Sequence, residues 1–235
     1  MSMHTSLPKL LVICLITGGV AALGALYVSS KNAAPQPAQN KSVSKSFKSI
    51  PSTTEPLFIG ASSAPITIVE YVDFKCPKCN AYQQDAGQKI RREYVDTGKA
   101  KVVLRPYPVF GEDAGLALYG AYCAASQNKF PAYYDAVFAH MSTLYKDGDY
   151  SAAAQKVLTK PALVGIAQGA GIEGSLFGAC LDGTTHKRAF EAAQHAAARD
   201  SVQGTPTIVI GGEKIVGNQP YQIYKTLLEL SAHAP

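Results

Sequence analysis

The feature that most constrains this chain is the segment ITIVEYVDFKCPKC, residues 66–79, where two cysteines directly follow a strongly β-forming run. The β-branched and aromatic residues of that run predict a short buried strand. Apolar residues then recur every three or four positions up to Tyr94, which predicts a helix. Pro77 suits the first helical turn, where its missing N–H costs nothing. Cys76 and Cys79 therefore lie where a strand meets a helix.

A cysteine at this position is suited to thiol–disulfide exchange. The start of a helix and nearby cations lower a thiol pKa from its free value of about 8.5. Lys75 and Lys78 flank Cys76, although their long side chains are free to point into water. Cys76 is predicted to be the attacking sulfur, and Cys79, one helical turn later, is predicted to resolve mixed disulfides.

Two other interpretations of the C-x-x-C motif are zinc binding and a pair of inert core cysteines. A structural zinc site needs four ligands, and no second pair or H-x₃₋₅-H motif completes one here, so no metal is expected. The strand before the motif and the helix after it disfavour inert core cysteines.

The remaining elements predict an α/β domain. A second strand is predicted over 101–105, followed by four or five Ala-rich helices within 112–202. A hairpin around Gly211-Gly212 follows in 205–217, and a last helix begins after Pro220.

The amino-terminal part has a different composition. Residues 10–30 carry no charged side chain and predict a transmembrane anchor that leaves residues 1–9 in the cytoplasm. A cleaved signal peptide and a buried soluble helix are the alternatives. Residues 31–55 are rich in Ser, Pro, Lys, Asn and Gln and predict a flexible linker. The folded domain is predicted over 56–235.

Net charge and cysteine content restrict which partners and which cellular compartment are expected for this chain. The net charge is +5 with no Lys/Arg run, so nucleic acid is not expected as a partner. Apart from Cys14 in the apolar run, an even number of cysteines remains, which suits an oxidising compartment. Cys123 and Cys180 fall in predicted helices and are interpreted either as a structural disulfide or as two free core thiols.

Gly204-Thr205-Pro206-Thr207 opens the first strand of the predicted hairpin. Proline is tolerated at a strand start because no N–H is needed there. The alternative is a cis Thr205–Pro206 bond, which is a selected structural feature wherever it occurs.

Taken together, these segments resemble the DsbA family of the thioredoxin superfamily. The matching pieces occur in family order over about residues 56–233: ITIVEYVDFKCPKC, VVLRPYPV, QNKFPAYYDAVF, FGACLD, GTPTIVIGG and IVGNQPYQIYKTLLE. The resemblance implies a thioredoxin fold interrupted by a helical insertion at 111–199. It also favours a bond between Cys123 and Cys180, because some family members carry an extra cysteine pair there.

The resemblance also assigns roles to individual residues. Cys76 is implied as the nucleophile, Cys79 as the resolving thiol and Pro206 as a cis-proline facing them. The Thr205 backbone is implied to hold an extended client chain, with Pro77 and Lys78 supporting the site. Glu70 matches an acidic position beneath the active site, where it assists proton transfer with Cys79 or forms a structural ion pair with Arg105.

The function that follows is donation of the Cys76–Cys79 disulfide to exported proteins by a membrane-anchored enzyme whose catalytic domain is extracytoplasmic. Reduced or misoxidised exported proteins are the expected clients, and a quinone-linked DsbB- or VKOR-like membrane protein is the expected reoxidant. No cofactor is expected besides the disulfide. The alternatives are an extracytoplasmic reductase or isomerase and a non-catalytic, tethered holdase.

Overall fold

The computed structural model describes residues 57–233, which build a five-stranded sheet with helices on both faces. The strand order is β1-β3-β2-β4-β5. The strands are β1 (Phe58–Ile59), β2 (Ile66–Val72), β3 (Ala100–Pro106), β4 (Thr207–Ile210) and β5 (Glu213–Val216). Strands β2 and β3 are parallel, and every other neighbouring pair is antiparallel.

Strand β2 lies at the centre of the sheet, between β3 and β4. Nearly all of its residues are buried, which explains why its sequence is a continuous apolar run and does not alternate. Glu70 is the one charged residue of this strand. It is 2% exposed and lies in register with Leu104 and Ile208. A carboxylate at the centre of a sheet must find partners among the side chains packed over it.

The helical segment after β2 begins with α1 (Pro77–Tyr82) and runs on to Val95. The predicted helix is confirmed, but it is not uniformly α-helical. It continues through a π-helical stretch, the short α2 (Gln88–Ile90) and a second π-helical stretch (Arg91–Val95). Such wider turns are not visible in a three-to-four-residue apolar spacing.

The insertion lies between β3 and β4. Within 112–199, all of which the structure describes, there are five α-helices: α3 (Glu112–Ala125), α4 (Phe130–Leu144), α5 (Lys160–Gly169), α6 (Gly174–Asp182) and α7 (Lys187–Arg199). Pro131 and Pro161 lie in the first turns of α4 and α5, as predicted. The fold class predicted from the sequence is therefore confirmed for these residues.

The chain closes with the predicted hairpin and helix. Gly211 and Gly212 have φ values of 58° and 89° and form the turn between β4 and β5, which favours glycine at both positions. Helix α8 (Tyr221–Ala232) then packs on the sheet, with Tyr224 and Leu228 buried.

Two apolar clusters fill the space on either side of the sheet. The larger joins the sheet to α1, α8 and the insertion, and at its centre Phe74 makes edge contacts with Tyr133, Tyr134 and Phe138 at centroid distances of 5.0–6.1 Å. The smaller cluster places Tyr71 among residues that include Ala197 of α7. The Tyr71 hydroxyl donates to the Asp200 carboxylate.

Cys123 and Cys180 form a disulfide bond that ties α3 to α6. The bond closes a loop with a sequence separation of 57 residues.

The predicted cytoplasmic segment 1–9, anchor 10–30 and linker 31–55 lie outside the described residues. Between Leu57 and His233, no helix is both long enough and apolar enough to cross a bilayer.

Replacing Cys123 and Cys180 together by alanine is expected to lower the free energy of unfolding. On a chain-entropy account the loss is at most about 4 kcal/mol, because a long loop regains its freedom in the unfolded chain. Guanidinium denaturation without reductant measures it. The single Cys180→Ala variant should lose a comparable amount, and an unchanged midpoint in the double variant would contradict a stabilising role.

Candidate active site

Cys76 and Cys79 lie together at the point where β2 passes into α1. Cys76 precedes the first helical residue, Pro77, and has extended backbone angles (φ −73°, ψ 120°). Cys79 follows one turn later inside the helix. Both are free thiols in this structure, and they are 3% and 0% exposed, respectively. The predicted arrangement of the pair is therefore present.

The surroundings of Cys76 stabilise its thiolate. A hydrogen bond from the Cys79 thiol is the largest contribution, and it outweighs the opposing effect of burial. The Thr205 hydroxyl and the backbone N–H groups of Cys79 and Lys78 also favour the negative charge. Together these donors lower the pKa of Cys76 to about 6.

The pKa of Cys79 is shifted in the opposite direction. Burial raises its pKa well above the ordinary thiol value, and its interaction with the Cys76 sulfur adds to the rise. At neutral pH the pair therefore holds one negative charge, on Cys76, and one proton, on Cys79. This is the division of roles that an attacking and a resolving thiol require.

Thr205 and Pro206 immediately precede β4, and Thr205 contacts Cys76. Their peptide bond is cis. The Cys76 thiol donates to the Thr205 carbonyl oxygen at 3.3 Å, and the Thr205 hydroxyl lowers the pKa of both cysteines. The Thr205 carbonyl oxygen thus lies beside the Cys76 sulfur.

Glu70 is held beneath this region by two tyrosines. The Tyr134 hydroxyl donates to Oε2 at 2.7 Å, and the Tyr82 hydroxyl donates to Oε1 at 2.9 Å. The amide of Gln83 donates to Oε2 at 3.4 Å and also to the Tyr134 hydroxyl. Burial raises the pKa of Glu70 although these bonds oppose the rise. The pKa values of both tyrosines are in turn raised by burial, and the charges of Glu70 and Cys79 contribute.

The suggested pairing of Glu70 with Arg105 is wrong. Arg105 is in register with Tyr71, whereas Glu70 is in register with Leu104. Neighbouring strand residues point to opposite faces of a sheet. Arg105 accordingly lies on the face of the sheet that carries Tyr71, where its charge lowers the pKa of that tyrosine.

The two lysines that flank Cys76 differ in their environments. Lys78 is exposed, as expected for a residue on the outer face of the first turn. Lys75 is 2% exposed, and its ammonium group forms an ion pair with Asp113 of α3 at 2.7 Å. The alternative in which both side chains extend into water is therefore wrong for Lys75.

Several residues of the site were not found from the sequence. Tyr82 and Gln83 follow Cys79 closely, but tyrosine and glutamine on a helix are common at ordinary packed or half-exposed positions. Tyr134 and Asp113 come from the insertion, and nothing in their local sequence connects them with the motif. Within 57–233, no group of three or more His, Cys, Asp or Glu side chains is arranged to hold a metal ion.

Removing the Thr205 hydroxyl is expected to raise the pKa of Cys76. Thr205→Val keeps the size of the side chain but loses a donor to the thiolate, so the pKa should rise by several tenths to about one unit. The rate of Cys76 alkylation against pH, with the labelled peptide identified by mass spectrometry, measures the shift. Thr205→Ser retains the hydroxyl and should remain near the parent. Equal profiles for the valine variant and the parent would show that the hydroxyl does not act on the sulfur.

Comparisons with known proteins agree with this geometry. A sequence model of the thioredoxin family matches residues 52–230. The chain is 32% identical over 82 residues to the probable disulfide bond formation protein D of Bacillus anthracis. The aligned segment covers 34% of this chain and 38% of that protein. It thus spans less than half the length of this relative.

Solved structures share the whole fold. Oxidised BdbD of Bacillus subtilis superposes with a TM-score of 0.65 at 23% identity, covering 76% of this chain and 93% of that one. DsbA of Chlamydia trachomatis gives a TM-score of 0.63 at 18% identity, covering 75% and 91%. With a family model that matches most of its length, the chain belongs to the thioredoxin family, and its fold with a helical insertion is similar to those of BdbD and DsbA.

Proposed function

We propose that this protein is a thiol–disulfide oxidoreductase that donates the Cys76–Cys79 disulfide to reduced exported proteins. The observation that supports this proposal most strongly is the opposite displacement of the two thiol pKa values, with Cys76 at about 6 and Cys79 well above the ordinary value. A stable Cys76 thiolate favours the reduced form, and a dithiol that prefers to be reduced oxidises other thiols.

The reaction has two exchange steps. A client thiolate attacks the Cys76 sulfur of the oxidised pair, a mixed disulfide forms, and Cys79 leaves with the electron pair. A second client thiolate then attacks the client sulfur of the mixed disulfide, and Cys76 leaves as a thiolate. The client loses two electrons and gains a disulfide, and the Cys76–Cys79 pair gains two electrons. The pair itself carries the electrons, so no further cofactor is required.

The neighbouring residues assist each step. Because Cys76 leaves in the second step, its low pKa speeds release of the oxidised client. Cys79 takes up a proton when it leaves, and Glu70 beneath the site exchanges that proton. Its raised pKa favours such a role because the carboxyl group can hold a proton nearer to neutral pH. The Thr205 backbone holds the extended client beside Cys76.

The same proposal includes location and partners. The enzyme is anchored by residues 10–30 in the cell membrane, with its catalytic domain on the extracytoplasmic side. Its clients are reduced or misoxidised exported proteins, and a quinone-linked membrane protein restores the disulfide. The disulfide between Cys123 and Cys180 supports an oxidising compartment, since such bonds persist outside the reducing cytosol.

The reduction potential of the pair tests this function. The full-length protein is equilibrated in glutathione buffers at pH 7, and the fraction of Cys76 and Cys79 in the disulfide is read by alkylation and mass spectrometry. A potential above roughly −180 mV is expected for an oxidase. A potential near roughly −250 mV or lower would contradict donation and favour a reductase.

Two serine variants test the roles of the sulfurs with reduced, unfolded ribonuclease A as the client. Cys79→Ser, carrying a glutathione mixed disulfide on Cys76, should form a Cys76–client adduct that persists longer than in the parent, because Cys79 can no longer attack the Cys76 sulfur and expel the client, and only a second client thiolate releases it. Cys76→Ser should form no adduct and lose nearly all oxidase activity. Non-reducing gels and mass spectrometry detect the adduct. Full activity of Cys76→Ser in cells would support the holdase alternative.

A further inference from the structure

Lys75, the residue immediately before Cys76, is buried and makes three hydrogen bonds through its ammonium group. The group bonds to Asp113 Oδ1 at 2.7 Å, the Phe110 carbonyl oxygen at 2.9 Å and the Gln155 carbonyl oxygen at 2.8 Å. A lysine that is 2% exposed is rare, and it remains charged only where such partners replace water. These acceptors come from two separate segments of the chain, the start of the insertion with Phe110 and Asp113 and the later segment with Gln155.

The partner carboxylate of Asp113 is equally well bonded. Its second oxygen accepts the backbone N–H groups of Val157 and Leu158, each at 3.0 Å. Burial works to raise the pKa of Asp113, but the Lys75 ammonium and these N–H donors outweigh it, and the net pKa is lowered. Asp113 therefore stays ionised beside the active-site loop.

A second buried carboxylate, that of Asp73, lies in the same loop. It accepts the Lys75 N–H at 2.8 Å and the N–H groups of Val109 and Phe110 at 2.7 and 2.9 Å. Its side chain is fully buried, and burial raises its pKa. The loop that carries Cys76 is thus bonded at the start of the insertion. Asp73 binds Val109 and Phe110, and Lys75 binds Asp113.

The cluster is bonded to the peptide group that immediately precedes Cys76. Tyr145, at the end of α4, donates its hydroxyl to the Lys75 carbonyl oxygen. The pKa of Tyr145 is raised first by burial and then by the charges of Asp73, Cys76, Cys79 and Asp113, so these groups share one neighbourhood. The charged and titratable groups of this neighbourhood are therefore Asp73, Lys75, Cys76, exposed Lys78, Cys79, Asp113 and Tyr145.

We propose that Lys75 is a positioning residue that fixes the Cys76 loop against the insertion and offsets the negative charge of the two buried carboxylates beside the thiolate. The cluster holds two carboxylates and one ammonium group, so without Lys75 the Cys76 sulfur would share its surroundings with two uncompensated negative charges. Like charges at short range in a buried site disfavour a further anion. This inference rests on the proposed role of Cys76 as the sulfur that exchanges with the client.

Two single variants break the same ion pair but change the charge in opposite directions. Lys75→Met removes the positive charge and should raise the pKa of Cys76 by about one unit, which also shifts the glutathione equilibrium severalfold towards the disulfide. Asp113→Asn removes a negative charge, keeps an oxygen for the backbone donors, and should lower the pKa of Cys76. Both variants should lower the free energy of unfolding.

The readout is the rate of Cys76 alkylation against pH in the full-length protein, with the labelled peptide identified by mass spectrometry. The double variant Lys75→Met/Asp113→Asn restores the net charge of the cluster and should return the profile close to that of the parent. Lys187→Met, which removes an exposed lysine of α7, is the matched charge control and should leave the profile unchanged.

Opposite shifts in the two single variants, with near-cancellation in the double variant, support the proposal. Shifts in the same direction, or none in either variant, overturn it, because a purely structural ion pair gives no sign reversal. If Lys75→Met does not fold, Asp113→Asn alone decides, since an unchanged or raised pKa contradicts the proposal. A parent protein whose Cys76 is not preferentially alkylated at low pH would instead contradict the proposed function.

Discussion

The chemistry of this protein depends on a short connection between strand β2 and helix α1 that is buried and held by hydrogen bonds to the insertion. Asp73 and Lys75 tie this connection to the start of the insertion, and Tyr145 closes it from α4. With the backbone fixed, the Cys76 sulfur stays at the beginning of a helix while Cys79 stays beneath it. A looser loop would have to be ordered at each exchange, at the cost of conformational entropy.

The fixed loop gives two chemically identical thiols opposite shifts in pKa. Donors from α1 and from Thr205 surround one sulfur, while the other is enclosed by the core. The helical insertion contributes to both effects, because α4 supplies Tyr134 to the Glu70 cluster and α3 supplies Asp113 to Lys75. The insertion is therefore part of the electrostatic environment of the pair as well as a covering for the sheet.

The sequence predicted those features that depend on neighbouring residues. The central strand, the position of the C-x-x-C motif, the glycine turn between β4 and β5 and the helical character of the insertion all have local signals. Strand β1 was not predicted, because two residues carry no periodicity. The burial of Lys75 was also not predicted, because its partner Asp113 lies 38 residues away in the chain. The contact of Glu70 with Tyr134 was not predicted either, because the two residues are 64 positions apart.

The central claim is that folding stabilises the reduced pair more than the disulfide, and the unfolding free energies of the two redox forms test it most directly. The folded pKa of Cys76 lies below its unfolded value, so this contribution is present at high pH and is lost as pH falls through about 6. With the Cys123–Cys180 bond intact in both forms, the reduced protein should be more stable at pH 7 by roughly 1 kcal/mol or more. That advantage should shrink as pH falls from 7 through about 6. An oxidised form as stable as the reduced form, or more stable, would contradict the account.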